Sequence, residues 1–171
     1  MKKTLIERIE VGSGGAASIT FSSIPQSYTD LLLVLSARTT YASTSDFLNI
    51  YPNGNTSNLT QRRLSGSGDS ATSGTATRNY INANSATAST FGNLQFYLPN
   101  YAGSNAKSIS TDAVTENNAA NAYAIIEATL WNDTTAISSI ELDPVYGNFV
   151  QYTTASLYGI TAGNDGITTV S

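Results

Sequence analysis

Hydrophobic and polar positions alternate with a period of two along most of this chain, which is the spacing of half-buried strands rather than helices. Ala17, Ile19 and Phe21 alternate with Ser18, Thr20 and Ser22. This predicts a short strand with one apolar and one hydroxylated face. Pro25 has no amide proton and forces Ile24 into an extended conformation, so a corner is expected over Ile24 to Tyr28. Leu31 to Leu35 is apolar on both parities and ends near Arg38, the pattern of a central strand covered on both faces. Phe47 to Tyr51 precedes Pro52-Asn53-Gly54-Asn55. Asn-Gly tolerates positive φ at both positions, and it predicts a hairpin returning through Leu59 to Leu64. Leu94, Phe96 and Leu98 form a further alternating strand that ends at Pro99, and Ile109 to Val114 a weaker one.

Ala119 to Trp131 is rich in alanine and fits two periods. A strand puts Ala124, Ile126, Ala128 and Leu130 on one face and Tyr123, Ile125, Thr129 and Trp131 on the other. The aromatic and β-branched content favours strand. Ile137, Ile140 and Leu142 predict a short strand ended by Pro144, and Thr153 to Ile160 a last one. Tyr80-Ile81 is a weak strand. Gly66 to Gly74 and Asn82 to Ser89 are composed of small residues and are expected to be surface loops, and the tail 161–171 is expected to fray. Eight to ten short strands, with no solenoid repeat and no linker, predict one all-β domain over 1–171, an antiparallel β-sandwich or barrel. Lys3 to Val11 is set apart from the first clear strand by Gly12-Ser13-Gly14-Gly15. Two readings stay open for residues 1–15. They form an arm that adds a strand to a neighbour, with Leu5, Ile6, Ile9 and Val11 as assembly contacts, or an edge strand of their own sheet.

Composition removes most catalytic chemistry. The 171 residues include no Cys and no His, so the usual zinc ligands, thiol nucleophiles and imidazole bases are missing. Lys and Arg number 8 against 12 Asp and Glu, for a net charge of −4, which argues against a nucleic-acid partner. Ser, Thr and Asn (22, 23 and 16 residues) supply the polarity that charged residues, at 12%, do not. These side chains compete with the helical backbone and suit turns and pleated surfaces. Charges at Glu7, Arg8 and Glu10 occupy the place of an apolar signal region, so no secretory leader is expected and synthesis in a cytoplasm is. Leu31 to Leu35 is far shorter than the roughly 20 residues that span a bilayer, so no membrane partner is expected.

The remaining candidates have ordinary structural explanations. Asp112 with Glu116, or Glu141 with Asp143, offer the paired carboxylates that a glycosidase needs, but solvated charges beside turns account for them better. Asp30, Asp69, Asp133 and Asp165 lie in or beside polar turns without calcium-loop spacing and are read as Asx-turns. Ser65-Gly66-Ser67-Gly68-Asp69 lacks the Lys-Ser/Thr of a phosphate loop. Arg62 and Arg63 on a strand point to opposite faces. No cofactor is expected and no enzymatic activity. Tyr97, Tyr101 and Trp131 are the candidate platform for a ligand or protein partner, because Tyr and Trp join an apolar ring to a polar tip.

The ordered elements, taken as a string, resemble a family of small virion structural proteins of tailed bacteriophages. The residues that carry the resemblance are Ala17 to Leu31, Tyr51 to Asn55, Asn100-Tyr101-Ala102-Gly103 with Lys107, and Glu116-Asn117-Asn118. Leu130-Trp131-Asn132 with Ala136 to Ile140, Gly147-Asn148-Phe149 and Ser156 to Ile160 complete it. The resemblance implies a component of the virion, without catalytic residues, placed on the capsid or the tail. With the strand pattern it predicts a jelly-roll-like module. The module is expected to act as a capsid decoration (cement) or head-fibre protein, bound to the major capsid protein or another virion protein and to copies of itself. The alternative is a tail-fibre or receptor-binding module that contacts host surface polysaccharide. A carboxylate-dependent depolymerase is the third reading.

Overall fold

The computed structural model describes residues 2–75, 79–116 and 122–161. Among them are twelve strands and no helix: β1 (Lys2–Glu10), β2 (Ile19–Phe21), β3 (Asp30–Ala37), β4 (Ser45–Pro52), β5 (Leu59–Ser67), β6 (Ser70–Gly74), β7 (Asn79–Asn82), β8 (Gly92–Pro99), β9 (Lys107–Thr115), β10 (Tyr123–Trp131), β11 (Ile140–Pro144) and β12 (Thr154–Thr161). They form an eight-stranded sheet in the order β1-β12-β3-β8-β9-β10-β5-β6 and a four-stranded sheet in the order β2-β11-β4-β7. All the pairings are antiparallel.

Set β5, β6, β9 and β10 aside, and the other eight strands pair as nested partners. β1 pairs with β12, β2 with β11, β3 with β8 and β4 with β7. This is a long antiparallel ribbon rolled so that successive pairs fall in alternate sheets, the topology of a jelly roll. The four remaining strands enter between β4 and β7 and between β8 and β11, and they extend the larger sheet past the edge of the smaller one.

The core lies between the sheets. Leu31, Leu33 and Leu35 of β3, Leu94, Phe96 and Leu98 of β8, and Leu157 of β12 face Phe21, Leu48, Ile50 and Leu142 from the smaller sheet, all nearly or fully buried. The alternation read from sequence thus points its apolar set inward in β2, β4, β8 and β11. Three expectations are corrected. Leu31 to Leu35 is buried on one parity only, because Leu32 and Val34 lie half-buried on the outer face of the sheet. Asn53 and Gly54 do form the tight turn, at φ 52° and 67°. However, the chain then crosses to the other sheet, and β5 pairs with β10 and β6 instead of β4. Gly66 to Gly74 is not a loop. It completes β5 and forms β6, joined by a two-residue turn at Gly68-Asp69 with Gly68 at φ 59°.

Lys2–Glu10 is an edge strand of its own sheet, hydrogen-bonded along β12, so the second of its two readings is the one observed. Ile6 and Ile9 pack partly against the core and Val11 belongs to it, at 5% exposure, while Leu5 remains exposed. The tail from 162 onward, Asp165 and the Asn117-Asn118 turn lie outside the described residues.

Candidate functional site

β10 reads Tyr-Ala-Ile-Ile-Glu-Ala-Thr-Leu-Trp, and in a strand its two faces separate strictly by parity. Either register buries apolar groups. Ala124, Ile126, Ala128 and Leu130 would fill a core, but they face outward. The inward set is Tyr123, Ile125, Glu127, Thr129 and Trp131, which includes a carboxylate and a hydroxyl. A one-residue slip would exchange the sets, so this register fixes what the protein shows to its surroundings.

Neighbouring strands continue the outer pattern. The register places Asp112, Ile126, Leu64 and Ser73 side by side in one row across β9, β10, β5 and β6. Val114, Ala124, Gly66 and Ala71 make the next row, and Ser110, Ala128 and Arg62 the row on the other side. Leu64 and Ile126 are each 64% exposed, Val114 49% and Leu130 43%. Two shallow grooves run over the patch. One, of about 430 Å³, is lined by Leu64, Gly66, Ala71, Ser73, Ala124 and Ile126. The other, of about 480 Å³, is lined by Arg62, Leu64, Ser73, Ile126 and Ala128 among others. Arg62 and Arg63 take opposite faces as expected, with Arg62 exposed and Arg63 turned inward.

The inner face of the same strands is polar. Glu127 is 1% exposed and accepts hydrogen bonds from Asn79 Nδ2 and Thr129 Oγ1, each at 3.2 Å. Thr111 is buried opposite it on β9, and Thr115 is buried opposite Tyr123. Arg63, opposite Glu127 in register, lies over the Tyr80 ring at 6.0 Å. Tyr80 stacks on Tyr123 with centroids 4.3 Å apart and meets the edge of Phe47 at 4.9 Å. Tyr146 continues the line, 6.0 Å from Phe47 and stacked on Tyr41 at 4.7 Å. The inserted strands thus put aliphatic groups towards solvent and a polar and aromatic seam towards the β7 edge.

Two of the three platform residues expected from sequence are core residues. Tyr101 is fully buried and its hydroxyl donates to the Pro25 carbonyl. Trp131 is 1% exposed, with the Lys107 ammonium 5.6 Å above its ring. Both are amphipathic groups whose rings are worth more inside, so they present nothing to a ligand. Tyr97 remains half-exposed on the outer face, and its hydroxyl donates to Asp30 Oδ2 at 2.8 Å. That bond, with burial and the Asp30 charge, pushes its pKa up.

The carboxylates separate by environment. Asp30 also accepts the Asn100 amide at 2.9 Å, and Asp133 accepts the Thr135 amide at 2.8 Å in an Asx-turn that lowers its pKa. Asp112 is exposed on the outer face of β9 with Glu116 exposed just beyond the strand. Glu141 and Asp143 share the outer face of β11, across from Tyr51 and Asn49. Burial raises the pKa of Asp143, helped by the charges of Glu141 and Asp46. No group of three or more metal-ligating side chains occurs among the described residues.

Sequence reasoning missed the buried polar anchors. Arg38 donates to the carbonyls of Thr87, Thr90, Asn84 and Ala86 at 2.6–3.1 Å and so holds the loop after β7. Burial lowers its pKa. Lys107 donates to the Gly103 and Thr135 carbonyls, both at 2.7 Å. The one signal available for the site itself was that both faces of β10 are apolar enough to bury.

Comparison with protein-family models, curated proteins and solved structures finds no match to this chain.

Proposed function

We propose that this protein is a non-enzymatic structural component of a tailed-phage virion, a capsid decoration (cement) or head-fibre protein. It binds the major capsid protein or another shell component, and copies of itself. The observation that carries the reading is the outward aliphatic patch, with Leu64 and Ile126 each 64% exposed on strands added to a complete jelly roll. Exposed contiguous apolar surface on a soluble fold marks a place of contact, since water makes it unfavourable alone. The resemblance of the motif order to virion structural proteins, read from the sequence, supports the same reading. Quantifying the protein on purified particles tests it. Hundreds of copies per particle are expected, and a handful would overturn the decoration role.

A tail-fibre or receptor-binding role on host polysaccharide is the second reading. It draws on Tyr146, 59% exposed and stacked on Tyr41 at one end of the aromatic line, rather than on Tyr101 or Trp131. Retention on host polysaccharide that is lost in Tyr146→Ala would favour it.

A further inference from the structure

The register of β10 exposes Ile126 and Leu130 while it buries Glu127. The inward set also holds Tyr123, Ile125 and Trp131, so this parity buries apolar area, but it leaves Ile126 and Leu130 against water. Covering the outer face removes that aliphatic area from water. The charges on that face indicate what covers it. At the outward strand positions of β8, β9, β10, β5 and β6 the charged residues are Asp112 and Arg62. Neither forms an ion pair with another described residue. They flank β10 from opposite sides and from adjacent rows, Asp112 beside Ile126 and Arg62 beside Ala128. A point on β10 between Ile126 and Ala128 is therefore midway between the two charges.

We propose that a second copy of this chain packs face to face on this surface, about a twofold axis passing over β10 between Ile126 and Ala128. The axis brings Arg62 of each copy to Asp112 of the other and sets Ile126, Leu64 and Ala128 of the two copies together. A twofold interface must be self-complementary, and one cation and one anion placed symmetrically about an apolar centre satisfy that. The outward strand positions balance one cation against one anion, with Glu116 at the rim just beyond β9, so most of the −4 of the whole chain lies elsewhere. Its size is adequate. Four strands of eight or nine residues (β8, β9, β10 and β5) cover roughly 500–600 Å² in projection at ordinary strand spacing and rise. Two such faces together give roughly 1,000–1,200 Å², which clears the total of about 1,000 Å² that marks a specific interface, at the low end of the range. The pairing deepens the adhesion reading by naming its self-contact and fails separately from it, because copy number tests the particle and solution mass tests the pair.

Light scattering on the full chain at tens of micromolar is expected to give twice the 18.0 kDa chain mass. Ile126→Glu and Leu64→Glu are expected to give monomers with unchanged far-ultraviolet circular dichroism. Arg62→Asp alone and Asp112→Arg alone are expected to weaken the dimer at least tenfold, and the two together to restore it. Should a face variant fail to fold, cross-linking carries the test. The chain has no Cys, so Ile126→Cys introduces a single thiol, which a bismaleimide spanning about 10 Å, the usual distance between packed sheets, should link across the axis. Glu141→Cys, on the other sheet, should not link. A monomeric wild-type chain, a dimer indifferent to the Ile126 and Leu64 variants, as pairing through the β6 edge would produce, or charge variants without effect would each overturn the proposal.

Discussion

Asp46 shows how much the fold asks of single buried polar side chains. It is fully buried and its carboxylate accepts from Thr39 Oγ1 and from the amides of Phe47, Tyr146 and Gly147 at 2.7–3.3 Å. Asp46→Ala would leave those donors unpaired, and unfolding in urea is expected to show a loss of about 3 kcal/mol, with the 146–147 turn released from β4. Asp143 behaves in the opposite sense. Its folded pKa lies above the ordinary 3.8 because burial disfavours the anion, with Glu141 and then Asp46 adding repulsion. Its neutral form is therefore favoured by folding. That stabilisation is complete below the unfolded pKa and is lost as pH rises through the folded value. Asp143→Asn should raise the melting temperature at pH 7 and leave it unchanged at pH 3, and a gain that persists at pH 3 would contradict this. None of these roles could be read from sequence. Asp46 meets two of its four donors about a hundred residues away, at 146–147, and Arg38 and Lys107 are satisfied by loop carbonyls rather than by carboxylates at a recognisable spacing.

The strands themselves were legible where one parity was clearly apolar, as in β8 with Leu94, Phe96 and Leu98. Two kinds of information were missing. Where both parities are apolar, as in β10, periodicity marks a strand but not its inward face. Where a turn is local but pairing is not, as at Asn53-Gly54, the turn is predicted correctly and the partner strand is not. The β5–β6 hairpin was hidden for a third reason. Its small residues bury little of their own, and it is held by pairing with β10 and by the turn at Gly68. Gly68 at φ 59° occupies a region that costs an L-residue roughly 1 kcal/mol. Gly68→Ala is expected to lower stability by about that amount, with hydrogen exchange accelerated first along β6. Gly159 of β12 is a stricter case. A Cβ there would enter the Tyr28 ring, so Gly159→Ala must displace that ring, and a loss of about 1–3 kcal/mol is expected in denaturant.

Across the whole molecule, the nested pairing makes the fold depend on distant contacts. β1 meets β12 only when the entire ribbon has rolled, with Lys2 opposite Thr161. Such a topology folds slowly, in milliseconds to seconds, and stopped-flow refolding should fall in that range. The β-sandwich was recoverable from the alternation, whereas the four added strands and their inverted faces were not, because they exist only through long-range register. The Lys2–Thr161 pair has one more consequence. Antiparallel partners lie about 5 Å apart at their Cα atoms, so a linker of a few residues joining these two positions would close the backbone into a ring without strain. That ring could then be cut at Gly68-Asp69, giving a circular permutant whose new ends emerge beside the apolar patch, a route for tethering cargo at the opposite side of the sheet from Lys2 and Thr161.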